Sequence, residues 1–423
     1  MSANMVLGNS RPLEGRFGCY VKRHLEDLRR EGLPALLRKS CEFLLIVLSL
    51  PVVLLVRMVR PVKLIRFGAL HSERIGHFAA NTELYLCERD TGRQDSLAFD
   101  VFFHAKRVSN HQLKIMWDRT LKVCKYARVL DRANRLLWGG QSHVVPMPRD
   151  WDIHGLFPRT KVHLCFTSEE DRRGREGLRK LGIPEGMPFV CFHARDRAYL
   201  EKMLPIKSWR YHDYRDSSVH NYIPAAEELA RRGYYAMRMG AVVSEKIVTT
   251  DPRIIDYATN GRSDFLDIYL GAKCNFFIGD TAGIFAVPKV FRRPMAAVNI
   301  VPLAHASAFG RADIFIPKKL WVRGEKRLLT FREILASGAD RWNHTEMYMQ
   351  AGVEIIENTA DEILALTREI CERLEGRWNP HECDDELQGR FWAVLPPRHP
   401  LMLNVVRPRV GAEFLRQNLR LLD

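Results

Sequence analysis

Phe189-Val190-Cys191-Phe192 runs straight into His193-Ala194-Arg195-Asp196-Arg197, and this junction decides how the chain is read. Four consecutive apolar residues without polar alternation predict a short strand buried on both faces. Pro184, Gly186 and Pro188 set it off from what precedes. Strands of this kind belong to parallel sheets covered by helices, which take their ligands at the carboxyl ends of the strands. His193 and Arg195 stand at that end, and a guanidinium offers planar donors for two phosphate oxygens. A surface ion-pair turn is the alternative reading.

The same pattern continues on both sides. Val62–Phe67, Leu97–Phe103, Val162–Phe166, Tyr234–Met239, Asn275–Ile278 and Met295–Val298 are further predicted strands. Helices are expected over Phe78–Cys87, Gln112–Cys124, Glu169–Leu181, Ile223–Arg232, Phe265–Ala272 and Ala360–Leu374, with Ser168 and Asp171 forming a capping box. This alternation predicts an α/β protein of two Rossmann-like, doubly wound domains facing a cleft. The expected parts are a membrane-associating segment (1–61), a first Rossmann-like domain (62–165), a second Rossmann-like domain (166–400) and a C-terminal helix (401–423) packing back on the first domain.

Other strand ends gather polar groups. Asn275-Phe276-Phe277-Ile278 leads into Gly279-Asp280-Thr281-Ala282-Gly283, whose small residues admit a ligand to the backbone and whose amides attract anions. A tight turn would look the same. Arg238 and Gly240 close the strand Tyr234–Met239; the alternative for Arg238 is a buried ion pair. Tyr211 to Tyr222 packs five rings, Asp213, Asp216, Arg215, Ser217 and Ser218 into twelve residues, a density suited to binding or catalysis. His212, Asp213, Asp216 and His220 lack a recognised metal spacing, so no metal is expected. Ser72 to His77 opens a helix carrying Asn81 and Glu83, where His77 or Glu83 is a candidate general base.

Composition narrows the partners. The 423 residues hold 65 Lys and Arg against 50 Asp and Glu, a formal charge of +15, with 46% hydrophobic residues. That excludes global disorder and points to anionic partners. Residues 1–60 carry ten Lys/Arg and five Asp/Glu, and the remaining excess is dispersed. No basic stripe with interleaved aromatics suggests nucleic acid. Nine scattered Cys without a C-x-x-C pair argue against zinc ribbons and disulfide frameworks, and for a reducing, cytosol-facing compartment. Phe43–Val56 is fourteen uncharged residues interrupted by Pro51, short of the roughly 20 that cross a bilayer. With amphipathic pieces over Tyr20–Lys39, split at Gly32 and Pro34, it predicts a peripheral or monotopic anchor on an anionic, cytoplasmic membrane face.

Taken together, these segments resemble GT-B glycosyltransferases. Ile278 to Gly283 resembles the D-[ST]-G donor loop of bacterial heptosyltransferases. Phe192-His193-Ala194-Arg195 resembles the H-x-R motif of α-1,6- and protein O-fucosyltransferases, although Asp196 stands where that pattern has a second Arg. Residues 62–423 resemble a group of bacterial glycosyltransferases carrying R-D-S-S-V-H-N-Y and G-D-T-A-G segments. The resemblance implies Arg195 on a donor diphosphate, Thr281, Ala282 and Gly283 cradling it, and no cofactor beyond a nucleotide-sugar co-substrate, with GDP-sugar favoured by the H-x-R motif. His193, Arg238, Gly240, Ser217, Ser218, Gly279 and Asp280 complete the expected donor site. Asp196, Asp216, His220 and His77 all remain candidates for the base. The expected acceptor is a lipid-linked or cell-envelope glycan. A non-catalytic protein binding anionic lipid or polyanion is the alternative.

Overall fold

The computed structural model describes residues 32–148, 152–203, 209–308, 310, 312–403, 405 and 407–423. The expected amphipathic pieces before residue 32 lie outside them. The described residues form two compact units: one gathers those from Gly32 to Gly68 with Leu97–Phe103 and Cys124–Val145, the other Ala69–Ser96, His104–Val123 and those from Pro146 on. The helices used below are α1 (Leu33–Met58), α2 (Ile75–Asp90), α3 (His111–Thr120), α4 (Ala127–Leu136), α5 (Ser168–Lys180), α6 (Ala198–Met203), α7 (Ile223–Arg231), α8 (Asp264–Lys273) and α9 (Ala286–Val290).

In the first unit, α1 starts at Leu33 behind a Gly32 with φ of 59°, at the place where Gly32 and Pro34 were expected to divide the chain. Proline falls in the first turn, where its missing N–H has no intrahelical partner to lose. α1 packs on α4, with Arg57 Nη2 donating to Asn134 Oδ1 at 2.9 Å and Arg132 meeting Glu42 at 3.1 Å. β1 (Ile65–Leu70) and β2 (Phe99–His104) form a two-stranded sheet, and a parallel bridge joins Phe67 to Val144. Arg66 and Asp100 lock it with two buried bonds of 2.7 Å.

The second unit is built on a seven-stranded sheet: β3 (Phe189–His193), β4 (Tyr235–Arg238), β5 (Ile254–Ile255), β6 (Phe277–Gly279), β7 (Met295–Ile300), β8 (Ile314–Pro317) and β12 (Arg409–Val410). Its order is β12-β8-β7-β6-β3-β4-β5, and every pairing is parallel. All of β7 and the first four residues of β3 are buried, as the unbroken apolar runs require. A smaller antiparallel sheet, in the order β10-β9-β11, joins Lys319–Val322 (β9), Arg327–Leu328 (β10) and Val353–Ile356 (β11). Phe414, Leu415, Leu421 and Leu422 lie in the large sheet's core, with the helix Ala412–Gln417 against helices Ala360–Leu374 and Asp384–Val394.

The fold is therefore α/β with a mostly parallel sheet. Among the described residues one doubly wound sheet is present, where two were expected. Val162–Phe166 forms no regular element and joins no sheet; Phe166 instead stacks on Phe291, centroids 5.7 Å apart. The capping box of α5 lies one residue earlier than expected, at Thr167 and Glu170. Thr167 has the extended backbone a cap needs, and Ser168 is already helical.

The order of the large sheet positions the site. From β3 the chain adds β4 and β5 on one side, then returns to add β6, β7 and β8 on the other. Direction reverses between β3 and β6, the point where open α/β sheets leave a crevice at the strands' carboxyl ends.

Candidate functional site

A cavity of about 430 Å³ opens at this switch point. His193 and Arg195 enter it from the end of β3, Thr281, Ala282 and Gly283 from the loop after β6, and Gly240 from beyond β4. The opposing wall is the start of α2, with Arg74, Gly76, His77 and Asn81. Gly76 and Gly283 allow the two walls to meet: a Cβ on Gly76 would lie 3.0 Å from the Gly283 Cα. Trp209, His212, Tyr214 and Arg215 contribute a third side.

Asp280 ties the loops together. Its Oδ2 accepts the Arg195 N–H at 2.8 Å and the Ser217 hydroxyl at 3.1 Å, while Oδ1 accepts the Ala282 N–H at 3.0 Å. Asp280 is 2% exposed and does not line the cavity, so its carboxylate is consumed in shaping it. Gly279 is also a packing residue: a Cβ there would sit 2.8 Å from the His193 carbonyl oxygen on the neighbouring strand.

The electrostatic balance favours an anion. Arg195 is 7% exposed and donates to the His212 carbonyl at 3.1 Å and to Asp216. Arg215 donates to the Thr281 carbonyl and hydroxyl, and its enclosed Nε has no partner among the described residues. Burial, then the Arg195 charge, lowers the pKa of Arg215. Lys318 is buried just behind, donating to the Asp216 carbonyl at 2.5 Å, and burial lowers its pKa too. Burial and the same arginines push His212 down to about 3, so its imidazole is neutral at physiological pH. Burial, with Asp213 and Asp280 nearby and Arg195 opposing, raises Asp216 to about 6. A cation whose charged form is disfavoured by burial and by neighbouring cations is stabilised by an incoming negative charge.

The sequence-derived candidates divide. His193, Arg195, Gly240, Thr281, Ala282, Gly283, His77 and Asp196 line the cavity. The Asp196 carboxylate is engaged, accepting from the Ala198 N–H at 2.9 Å and from the Ser244 N–H and hydroxyl at 2.9 and 3.0 Å. Asp216 and Ser217 stand directly behind the wall. Arg238, Ser218 and His220 lie outside the lining. Arg238 is 1% exposed, donates to the Glu245 carbonyl at 2.5 Å and pairs with Asp256 at 3.6 Å. Ser218 caps the 3-10 turn before α7, and His220 is exposed beside Glu245 at 3.2 Å.

Arg215, Trp209, Arg74 and Lys318 were not singled out by sequence. Two have a sequence signal, Arg215 inside the polar-aromatic cluster of 211–222 and Arg74 inside the Ser72–His77 segment, where its guanidinium stands 5.8 Å over the Trp209 ring. Glu83, considered as a base, is instead buried with Cys87 and His163, their ligand atoms within 4.8 Å. Arg292 donates to Glu83 at 2.7 Å, and a guanidinium on the shared carboxylate fills the position a cation would need.

No protein-family model matches the chain, and no curated protein is similar to it. Among solved structures it is similar to a glycosyl transferase family 9 protein from Veillonella parvula DSM 2008, at 9% identity and a TM-score of 0.34, covering 56% of this chain and 80% of that one. It is also similar to the E. coli ADP-heptose lps heptosyltransferase II, at 11% identity and a TM-score of 0.39, covering 74% and 100%.

Proposed function

We propose that this protein is a glycosyltransferase of the GT-B kind, with a donor domain over 166–400 and an acceptor domain over 62–165. It moves a sugar from a nucleotide-diphosphate sugar, GDP-sugar first among the candidates, to a lipid-linked or cell-envelope glycan. The observation that carries this reading is the convergence of Arg195, Arg215 and the Thr281–Gly283 loop on the switch-point cavity. Bond breakage at the anomeric carbon leaves negative charge on the diphosphate. Two fixed guanidinium groups and the loop amides stabilise that charge as it develops, the task a divalent metal would otherwise perform. No metal and no cofactor are required in this scheme, and nucleic acid is not a substrate.

His77 is the proposed base. It lines the cavity on the wall opposite the phosphate loop, and the Asp196 carboxylate is already held by Ser244 and Ala198. His77 would take the proton of the acceptor hydroxyl as oxygen attacks the anomeric carbon. The exposed apolar face of α1 and the basic residues around it support attachment to the cytoplasmic face of an anionic membrane, where lipid-linked acceptors lie.

A thermal-shift panel of UDP, GDP, CMP and ADP tests this reading. One diphosphate should stabilise the protein, by about 2.7 kcal/mol at a hundredfold excess over Kd. Stabilisation by none of them, with vesicle binding intact, would transfer support to the non-catalytic lipid- or polyanion-binding reading.

A further inference from the structure

Apolar exposure is concentrated in the first unit. On α1, Phe43, Leu44, Leu48 and Leu55 are 66, 56, 63 and 61% exposed, while Val53, facing inward, is 0% exposed. Leu136, the last residue of α4, is 67% exposed and Trp138, just beyond it, 98%, and the Trp138 carbonyl accepts from Arg57 Nη1 at 2.8 Å. Residues 32–68, 97–103 and 124–145 carry ten Lys/Arg against three Asp/Glu. Arg60 and Lys63, exposed at the end of α1, have no acidic partner among the described residues.

Lys39–Met58 is 20 residues long and by length and composition could cross a membrane. Its tertiary partner argues otherwise. α4 is held to α1 at two levels, Glu42 with Arg132 and Arg57 with Asn134. These are fifteen residues apart on α1, roughly 22 Å of helix rise. Were α1 to cross, α4 would be carried to hydrocarbon depth with Arg128, Asp131, Arg132 and Arg135. Charged side chains there are costly unless they reach water. With α1 lying flat, α4 stays on the water side and the opposite, apolar face of α1 enters the acyl boundary. Arg60 and Lys63 then meet headgroups, and Trp138 occupies the level that indoles prefer.

Resting on the membrane attachment given under Proposed function, we propose that α1 lies in the plane of one leaflet of an anionic bilayer, with Leu136 and Trp138 inserting beside it. Both ends of α1 are then on the same side of the membrane.

The test uses the full chain, a fluorescent amino acid introduced genetically at Leu36, Leu48 or Met58, and phosphatidylcholine vesicles with or without phosphatidylglycerol. We expect binding to the phosphatidylglycerol vesicles, quenching of all three positions by external dithionite, and a common shallow depth against brominated lipids. One end protected from dithionite with Leu48 at the bilayer centre would overturn the in-plane arrangement and leave membrane attachment standing. Absence of binding, with self-association through α1 seen by cross-linking, would overturn both. Trp138→Ala should weaken vesicle binding about tenfold without changing stabilisation by a nucleotide; unchanged binding would remove Trp138 from the contact.

Discussion

Arg195 is held at both ends. Its backbone N–H is bound to Asp280 and its guanidinium to Asp216 and the His212 carbonyl. A pre-positioned fork loses little freedom when it meets a diphosphate. Arg195→Ala should therefore abolish turnover while circular dichroism stays native, and normal turnover in that variant would refute its role. His77→Asn should lower kcat by about 10²–10⁴-fold with nucleotide affinity unchanged, measured by steady-state kinetics beside calorimetry. Asp216 supplies a pH signature. Its pKa is raised from 3.8 to about 6, so the folded state holds this proton to higher pH than the unfolded chain does. The stability it contributes is complete below about pH 4 and lost as pH rises through about 6, up to about 3 kcal/mol. Asp216→Asn should flatten that part of the stability profile in urea titrations, and an unaltered slope would contradict the assignment.

At the scale of elements, the close pairing of β3 with β6 brings the two cavity-lining loops together. Gly279 pairs with His193 and leaves no room for a Cβ, which would lie 2.8 Å from backbone oxygen. Gly279→Ala should cost about 1–3 kcal/mol in denaturant unfolding and reduce nucleotide-dependent stabilisation, because the strands must part at the switch point. Gly389, in the helix Asp384–Val394, has nothing within 4 Å of its Cβ position. There the same substitution should stabilise by about 0.5–1 kcal/mol. Sequence identified these strands well, since unbroken runs such as Phe189–Phe192 have no other economical fold. It misplaced Val162–Phe166, a run that His163 interrupts and whose Phe166 stacks on Phe291 and meets Tyr269 edge-on rather than pairing with a neighbouring strand.

For the molecule as a whole, charge and apolar exposure coincide in the first unit and predict salt-sensitive membrane attachment. Arg60→Gln with Lys63→Gln should weaken binding to phosphatidylglycerol vesicles by about 2 kcal/mol, at about 1 kcal/mol per cation near the surface. Raising the ionic strength should reduce the difference between this variant and the parent chain. Sedimentation with vesicles measures both, and a variant as tightly bound as the parent would exclude Arg60 and Lys63 from the contact.

By itself the sequence determined the α/β class, the buried strands and the small-residue and Arg-bearing loops that follow them. Those features are local: apolar run length, glycine and proline placement, and the residues directly after a strand. Strand order is not local, and only the tertiary structure put β3 beside β6 and so made neighbours of Arg195 and Thr281, 86 positions apart in the chain. It also withdrew Arg238 and His220 from the cavity and brought in Arg215, Trp209 and Arg74. The same holds for α1. Composition declares it apolar, but which side faces protein is set by its packing on α4, and that packing decides how the helix can meet a membrane.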